Sequence, residues 1–147
     1  GIKTCSVRIF SAFGEGLQKQ LFWDLAQKIK NAKNNTITLY GTGNESRDFI
    51  YVKDITRIIG LLILNENAME SCYDVASGIE TTIKEAVELF VSLMDWKGRI
   101  EFDRASRPGD ALNWKADISR ISSLGFTSGY SLKEGLKRYV EWIKGKD

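Results

Sequence analysis

Histidine is absent from this 147-residue chain, and cysteine occurs only twice, at Cys5 and Cys72. Without imidazole there is no Ser-His-Asp or Cys-His nucleophile system and no metal site that needs a histidine ligand. Two separated cysteines cannot build a thiolate zinc site either. They form neither a CxxC pair nor a dense framework, which fits free thiols in a reducing cytosol. An excess of one charge is also missing, since 21 Lys and Arg against 19 Asp and Glu leave a formal +2. That field is too weak to argue for nucleic acid or an anionic membrane as partner. Any anion site must therefore be local. The longest nearly unbroken apolar run, residues 58–64, falls far below the roughly 20 residues of a membrane span and reads as a helix buried on most sides. Gly1-Ile2-Lys3-Thr4-Cys5 carries no charged leader followed by an apolar stretch and a cleavage site, so the expected compartment is the cytoplasm. Internal repeats, linkers and low-complexity segments are lacking too.

What is present is an ordinary globular composition, 43% hydrophobic and 27% charged, enough to bury one core. Residues 5–10 read as a strand, broken by Gly14-Glu15-Gly16 before an amphipathic helix starting near Leu17, with Leu17, Leu21, Leu25 and Ile29 on its stripe. Strands are expected over 36–40, 49–52, 71–75 and 99–102. Asp54 is placed to cap a helix over 55–64. Thr82 with Glu85, and Ser131 with Glu134, have the spacing of capping boxes that open two further helices. Asp117 caps a short helix that Gly125 stops in a left-handed turn. The pattern predicts a mixed α/β fold with short, poorly alternating strands and no complete parallel sheet.

The most informative stretch is Tyr40-Gly41-Thr42-Gly43-Asn44-Glu45-Ser46-Arg47-Asp48-Phe49-Ile50-Tyr51-Val52-Lys53-Asp54, echoed by Arg107-Pro108-Gly109-Asp110. Each arginine lies in a glycine-containing loop and is followed by an aspartate, and guanidinium forks pair bidentately with phosphate oxygens. The competing reading is an Arg-Asp pair tying down a loop. Gly41-x-Gly43-x-x-Ser46 after a strand imitates a dinucleotide fingerprint, but the residues after Ser46 are strand-like. The helix N-terminus that such a site requires is missing, so that reading is rejected.

Several motifs occur in a definite order. They are Phe10-Ser11-Ala12-Phe13-Gly14, the Tyr40 to Asp54 stretch, Tyr73-Asp74-Val75-Ala76-Ser77-Gly78, Arg107-Pro108-Gly109-Asp110, and Leu124-Gly125-Phe126 before Ser131-Leu132-x-Glu134-Gly135. In this order they resemble the C-terminal half of the NAD-dependent epimerase/dehydratase family, the extended short-chain dehydrogenases that include UDP-glucose 4-epimerases. The resemblance implies a small mixed α/β substrate-binding domain (16–147) plus the strand and loop of a missing Rossmann domain (1–15). Members carry a glycine fingerprint and a catalytic Tyr-x-x-x-Lys upstream of the strand matching 5–10. No tyrosine here has a lysine four residues on, so no catalytic residue and no metal ligand is assigned. The chain alone is expected to be inactive.

By the same resemblance, Arg47 and Arg107 clamp the diphosphate of a nucleotide sugar. Asp110 lies near the ribose or only orients Arg107. Thr38, Leu39 and Tyr40 match the strand beside the base, where Tyr40 either covers the base or packs into the core. Gln20 and Leu21 match a helix-start pair that touches substrate, although Leu21 also falls on the apolar stripe. Ser11 stands where the family usually has a substrate-binding asparagine, and Phe10 matches a residue against the nicotinamide. Phe13, Glu15, Asp74 and Lys115 also depart from common family residues, which leaves sugar and base open. The implied cofactor is NAD or NADP, bound mainly by the missing domain. The implied partners are a nucleotide-diphosphate sugar and that domain, with self-association through the exposed strand, and neither nucleic acid nor membrane. The whole enzyme would do isomerase or lyase chemistry in polysaccharide biosynthesis. The alternative is a non-enzymatic nucleotide- or partner-binding module.

Overall fold

The computed structural model describes residues 2–68, 71–105 and 112–145, so Arg107 and Asp110 lie outside the described residues. Its organising element is β4, Ser46–Tyr51, in which every residue but Arg47 is buried. Side chains alternate across a strand, and β4 uses both faces. Phe49 and Tyr51 enter one hydrophobic core while Ile50 enters the other. β4 pairs in parallel with β2 (Ser11–Phe13) and antiparallel with β6 (Glu80–Thr82). Two further parallel pairs flank this sheet: β1 (Ser6–Ile9) with β5 (Cys72–Val75), and β3 (Thr36–Leu39) with β7 (Arg99–Phe102). The architecture is mixed α/β, with three small sheets among the described residues.

The first core is closed by α1 (Gln20–Lys30), α3 (Ile83–Met94) and α5 (Leu132–Lys144). Phe22 sits at its centre, 5.2 Å from the Phe49 ring and 5.5 Å from Phe90, ring spacings that favour aromatic packing. The helix α5 approaches the strands closely because Gly135 has no side chain. A Cβ there would come within 2.8 Å of the Phe13 ring. Both capping boxes form as expected, with Thr82 and Glu85 opening α3 and Ser131 and Glu134 opening α5. Gly125, at φ +93, stops α4 (Ser119–Ser123).

Three expectations are corrected. The first helix starts at Gln20 and not near Leu17, because the Leu17 amide donates to Gly14 O and its carbonyl accepts the Tyr139 hydroxyl at 2.5 Å. Those bonds hold Leu17 in the loop despite its helical spacing. The helix α2 runs from Val52 to Leu64, so Asp54 lies inside its first turn and does not cap it. Finally, α2 is not buried on most sides, because Ile63 and Leu64 are 69% and 87% exposed. All four residues of β1 are exposed as well, Val7 and Ile9 among them. A parallel pair is normally covered on both faces; here Val7 and Ile9 stay 37% and 46% exposed.

Burial, with a smaller contribution from the Asp24 charge, pushes the Tyr139 hydroxyl up to about 12. Burial and Glu15 push Tyr51 further up still. The folded state thus holds protons that the unfolded chain releases near pH 10. The contribution of these two tyrosines should be constant below pH 10 and fall as the pH rises toward 12. Urea melts at pH 8, 10 and 11 should show this limb, and Tyr139→Phe should flatten part of it.

Candidate functional site

The strand β4 presents Arg47 on the same face as Phe49 and Tyr51, toward the first core. There, beside the start of α1, lies an open cleft of about 450 Å³ whose lining includes Phe10, Ser11, Gln20, Leu21, Arg47 and Trp114. Five residues singled out from sequence thus share one wall. Ser11 is brought in by its pairing with Phe49 across β2 and β4. Gln20 takes φ 67 as the first residue of α1, a left-handed backbone that a residue other than glycine adopts at a cost of order 1 kcal/mol.

Arg47 is half-buried. Its Nη1 donates to Ser46 O at 2.7 Å, and its Cζ lies 5.6 Å from the centroid of the Trp114 ring. Trp114 in turn meets the Phe10 ring at 5.7 Å. Trp114 is half-exposed and was not singled out from sequence. The signal available was its position four residues beyond Asp110, next to the second arginine motif.

The carboxylate beside Arg47 has a different occupation. Asp48 is fully buried and accepts from the Ser77 amide (2.9 Å), the Ser77 hydroxyl (2.8 Å), the Gly78 amide (3.1 Å) and the Ala116 amide (3.3 Å). Together with the bond from the Ser46 amide to Leu112 O at 2.9 Å, this clasps residues 112–116 along β4, on either side of the point where Trp114 meets Arg47.

The glycine loop 41–43 is closed in another way. The Glu45 carboxylate accepts from the Thr42 amide at 2.9 Å, the Thr42 hydroxyl at 3.0 Å and the Gly43 amide at 2.8 Å. Burial pushes the Glu45 carboxyl up, but these bonds, with one from its own amide, outweigh burial and hold it below the usual carboxylate range. The amides that a dinucleotide pyrophosphate would use are taken by the chain's own anion. Gly43, at φ +83, also has no room for a Cβ beside the Phe102 ring. This loop does not fit the cofactor.

The β3 residues and Tyr40, just beyond the strand, stand apart from the cleft lining. Leu39 is a core residue, the Thr38 carbonyl accepts Lys28 Nζ at 2.5 Å, and Tyr40 is 40% exposed, outside the core. Among the described residues, the Arg47 cleft has no carboxylate, thiol or phenol in its lining, and no cluster of His, Cys, Asp or Glu could hold a metal ion. Arg47 supplies the cleft with a guanidinium, a group whose chemistry suits an anion. The described lining holds no group that exchanges a proton at neutral pH.

A sequence model of the NAD dependent epimerase/dehydratase family matches residues 1–76, more than half of the 147. The chain belongs to this family. It is 30% identical over 152 aligned positions to UDP-glucuronic acid decarboxylase 1 of Arabidopsis thaliana, covering 99% of this chain and 33% of that protein. It is 29% identical to GDP-L-fucose synthase 1 of the same plant over 80% of this chain and 37% of that protein. Among solved structures, UDP-N-acetylglucosamine 4-epimerase from Methanobrevibacter ruminantium, in complex with UDP-N-acetylmuramic acid, superposes with a TM-score of 0.86 at 25% identity. That match covers 99% of this chain and 47% of the epimerase. The chain therefore spans less than half the length of these relatives. No helix among the described residues is long and apolar enough to cross a membrane.

Proposed function

We propose that this chain is the nucleotide-sugar-binding part of an NAD-dependent epimerase or dehydratase, with Arg47 gripping the diphosphate and the chemistry carried by residues outside the chain. The observation that carries this reading is the Arg47 guanidinium at a cleft shared with Phe10, Ser11, Gln20 and Leu21. The named relatives handle sugars attached to UDP or GDP; their sugars and bases differ, and a nucleoside diphosphate is what they have in common. A guanidinium fork recognises that common group.

On this reading Arg107 supplies the second arm of the clamp, and Asp110 lies toward the ribose. Tyr40 and the backbone of β3 offer a surface to the base, while Leu39 contributes only main chain because its side chain is in the core. NAD or NADP is held mainly by a domain outside this chain, with Phe10 as the local contribution. Residues 1–15 form the seam to that domain, and 16–147 form the nucleotide-sugar domain. The exposed apolar groups of β1 and α2 are the surface it would cover; without it, the open strand β1 draws chains together. Binding energy from the remote diphosphate would position the sugar for isomerase or lyase chemistry, carried out in the cytoplasm. Alone, the chain is catalytically silent.

Thermal shift with UDP, dTDP, GDP and ADP sugars tests this. A ligand at a hundred times its Kd should stabilise the chain by about 2.7 kcal/mol. Arg47→Ala and Arg107→Ala should each weaken binding roughly 10- to 100-fold, the worth of a charge-assisted hydrogen bond. If no nucleotide shifts the native chain, the reading is wrong. If the shift survives both substitutions, the phosphate is held elsewhere.

A further inference from the structure

We propose that Trp114 is a positioning residue that holds the Arg47 guanidinium in the orientation that receives a phosphate; this rests on the diphosphate reading of the cleft. An arginine gives up considerable rotamer freedom when it binds an anion, and holding it beforehand reduces that loss. Among the described residues, two contacts act on the guanidinium and a third braces the ring beneath it. The Nη1 bond to Ser46 O ties one edge of the fork. The Trp114 face lies under Cζ at 5.6 Å, inside the range of a cation–π contact. The indole is itself braced by the Phe10 ring at 5.7 Å.

The brace is built into the backbone. Residues 112 and 116, on either side of Trp114, are fastened to Ser46 and Asp48, on either side of Arg47. Ring and guanidinium are thus opposed by two sets of bonds that neither side chain makes. With half of its surface open in a cleft, Trp114 is poorly explained as core filling.

The test is a double-mutant cycle on the 147-residue chain, using whichever of UDP, dTDP, GDP or ADP stabilises it most. Trp114→Leu keeps an apolar side chain but removes the π face, and Trp114→Phe restores one. Calorimetric titration should show Trp114→Leu weakening binding about three- to fivefold, the size of a part-exposed cation–π contact, and Trp114→Phe recovering most of it. In an Arg47→Ala background, Trp114→Leu should cost nothing further.

An equal loss with and without Arg47 would overturn the positioning role and make Trp114 a direct ligand contact. A full-strength Trp114→Leu variant would overturn it as well, leaving the diphosphate reading intact provided that Arg47→Ala still weakens binding. If Arg47→Ala itself has no effect, the diphosphate reading fails and this inference fails with it. Near-ultraviolet circular dichroism and a melt of each variant would separate a binding defect from a folding one.

Discussion

Asp48→Ala should cost the chain about 3–5 kcal/mol of stability. Its carboxylate is fully buried and takes four hydrogen bonds, from Ser77 N, Ser77 Oγ, Gly78 N and Ala116 N. Alanine would leave those donors without their acceptor, and each buried unsatisfied polar group costs roughly 1–3 kcal/mol, partly relieved by relaxation. For a chain of this size the melting temperature should fall by roughly 10 °C. Asp48→Asn keeps one acceptor oxygen but turns an NH2 group toward donors, so it should fall between the two. Urea denaturation of the three proteins measures the order. Because Asp48 also fastens residue 116, either substitution should loosen the Trp114 arm and weaken nucleotide binding in whatever population stays folded.

Asp54→Ala should be nearly as destabilising, about 2–4 kcal/mol, without that effect on binding. Asp54 is buried and accepts from the Ser128 hydroxyl at 3.0 Å, the Gly129 amide at 3.1 Å, the Tyr130 amide at 3.2 Å and Arg57 Nη1 at 2.7 Å. Arg57 is half-exposed and can turn to water, whereas the two amides and the hydroxyl lose a charged acceptor. The tethered loop leads into α5 and sets Tyr130 edge-on against Tyr51, with ring centroids 4.9 Å apart. It contributes nothing to the described lining of the Arg47 cleft. Melts of both alanine variants, each followed by a nucleotide titration, should therefore separate two aspartates only six residues apart in sequence. Equal loss of binding in the Asp54 variant would contradict this division.

Those two carboxylates also mark where the sequence stops being legible. Local signals are legible: the two capping boxes, the left-handed stop at Gly125 and the strand over 99–102 all form as their spacing implies. Each depends on residues a few positions apart. Asp54, by contrast, has the sequence position of a helix cap, whose donors lie within one turn, while most of its actual donors lie more than seventy residues away. Asp48 has the position of a partner for Arg47 and is instead the anchor of two distant loops. The strand β6 escapes notice in the sequence because Glu80-Thr81-Thr82 has no apolar alternation, and its conformation is set by pairing with β4.

The cleft was legible only through resemblance. Phe10, Ser11, Gln20, Leu21 and Arg47 carry no spacing that would bring them together, yet β2, the start of α1 and β4 converge on one wall. Trp114 could not be found by periodicity, since its partner Arg47 is on a separate element and meets it through tertiary pairing alone. In the same way, composition marked residues 58–64 as apolar without showing which face of α2 would remain open.

The most direct test of the central claim is a two-dimensional NMR titration of the 147-residue chain with a nucleoside diphosphate, following the Arg47 Nε–H and Trp114 Nε1–H resonances. Both signals, together with the amides of residues 10–12 and 20–21, should shift saturably, and the shifts should be lost in Arg47→Ala. Saturable shifts that leave these signals unmoved and cluster elsewhere, or no shifts at all, would contradict that claim.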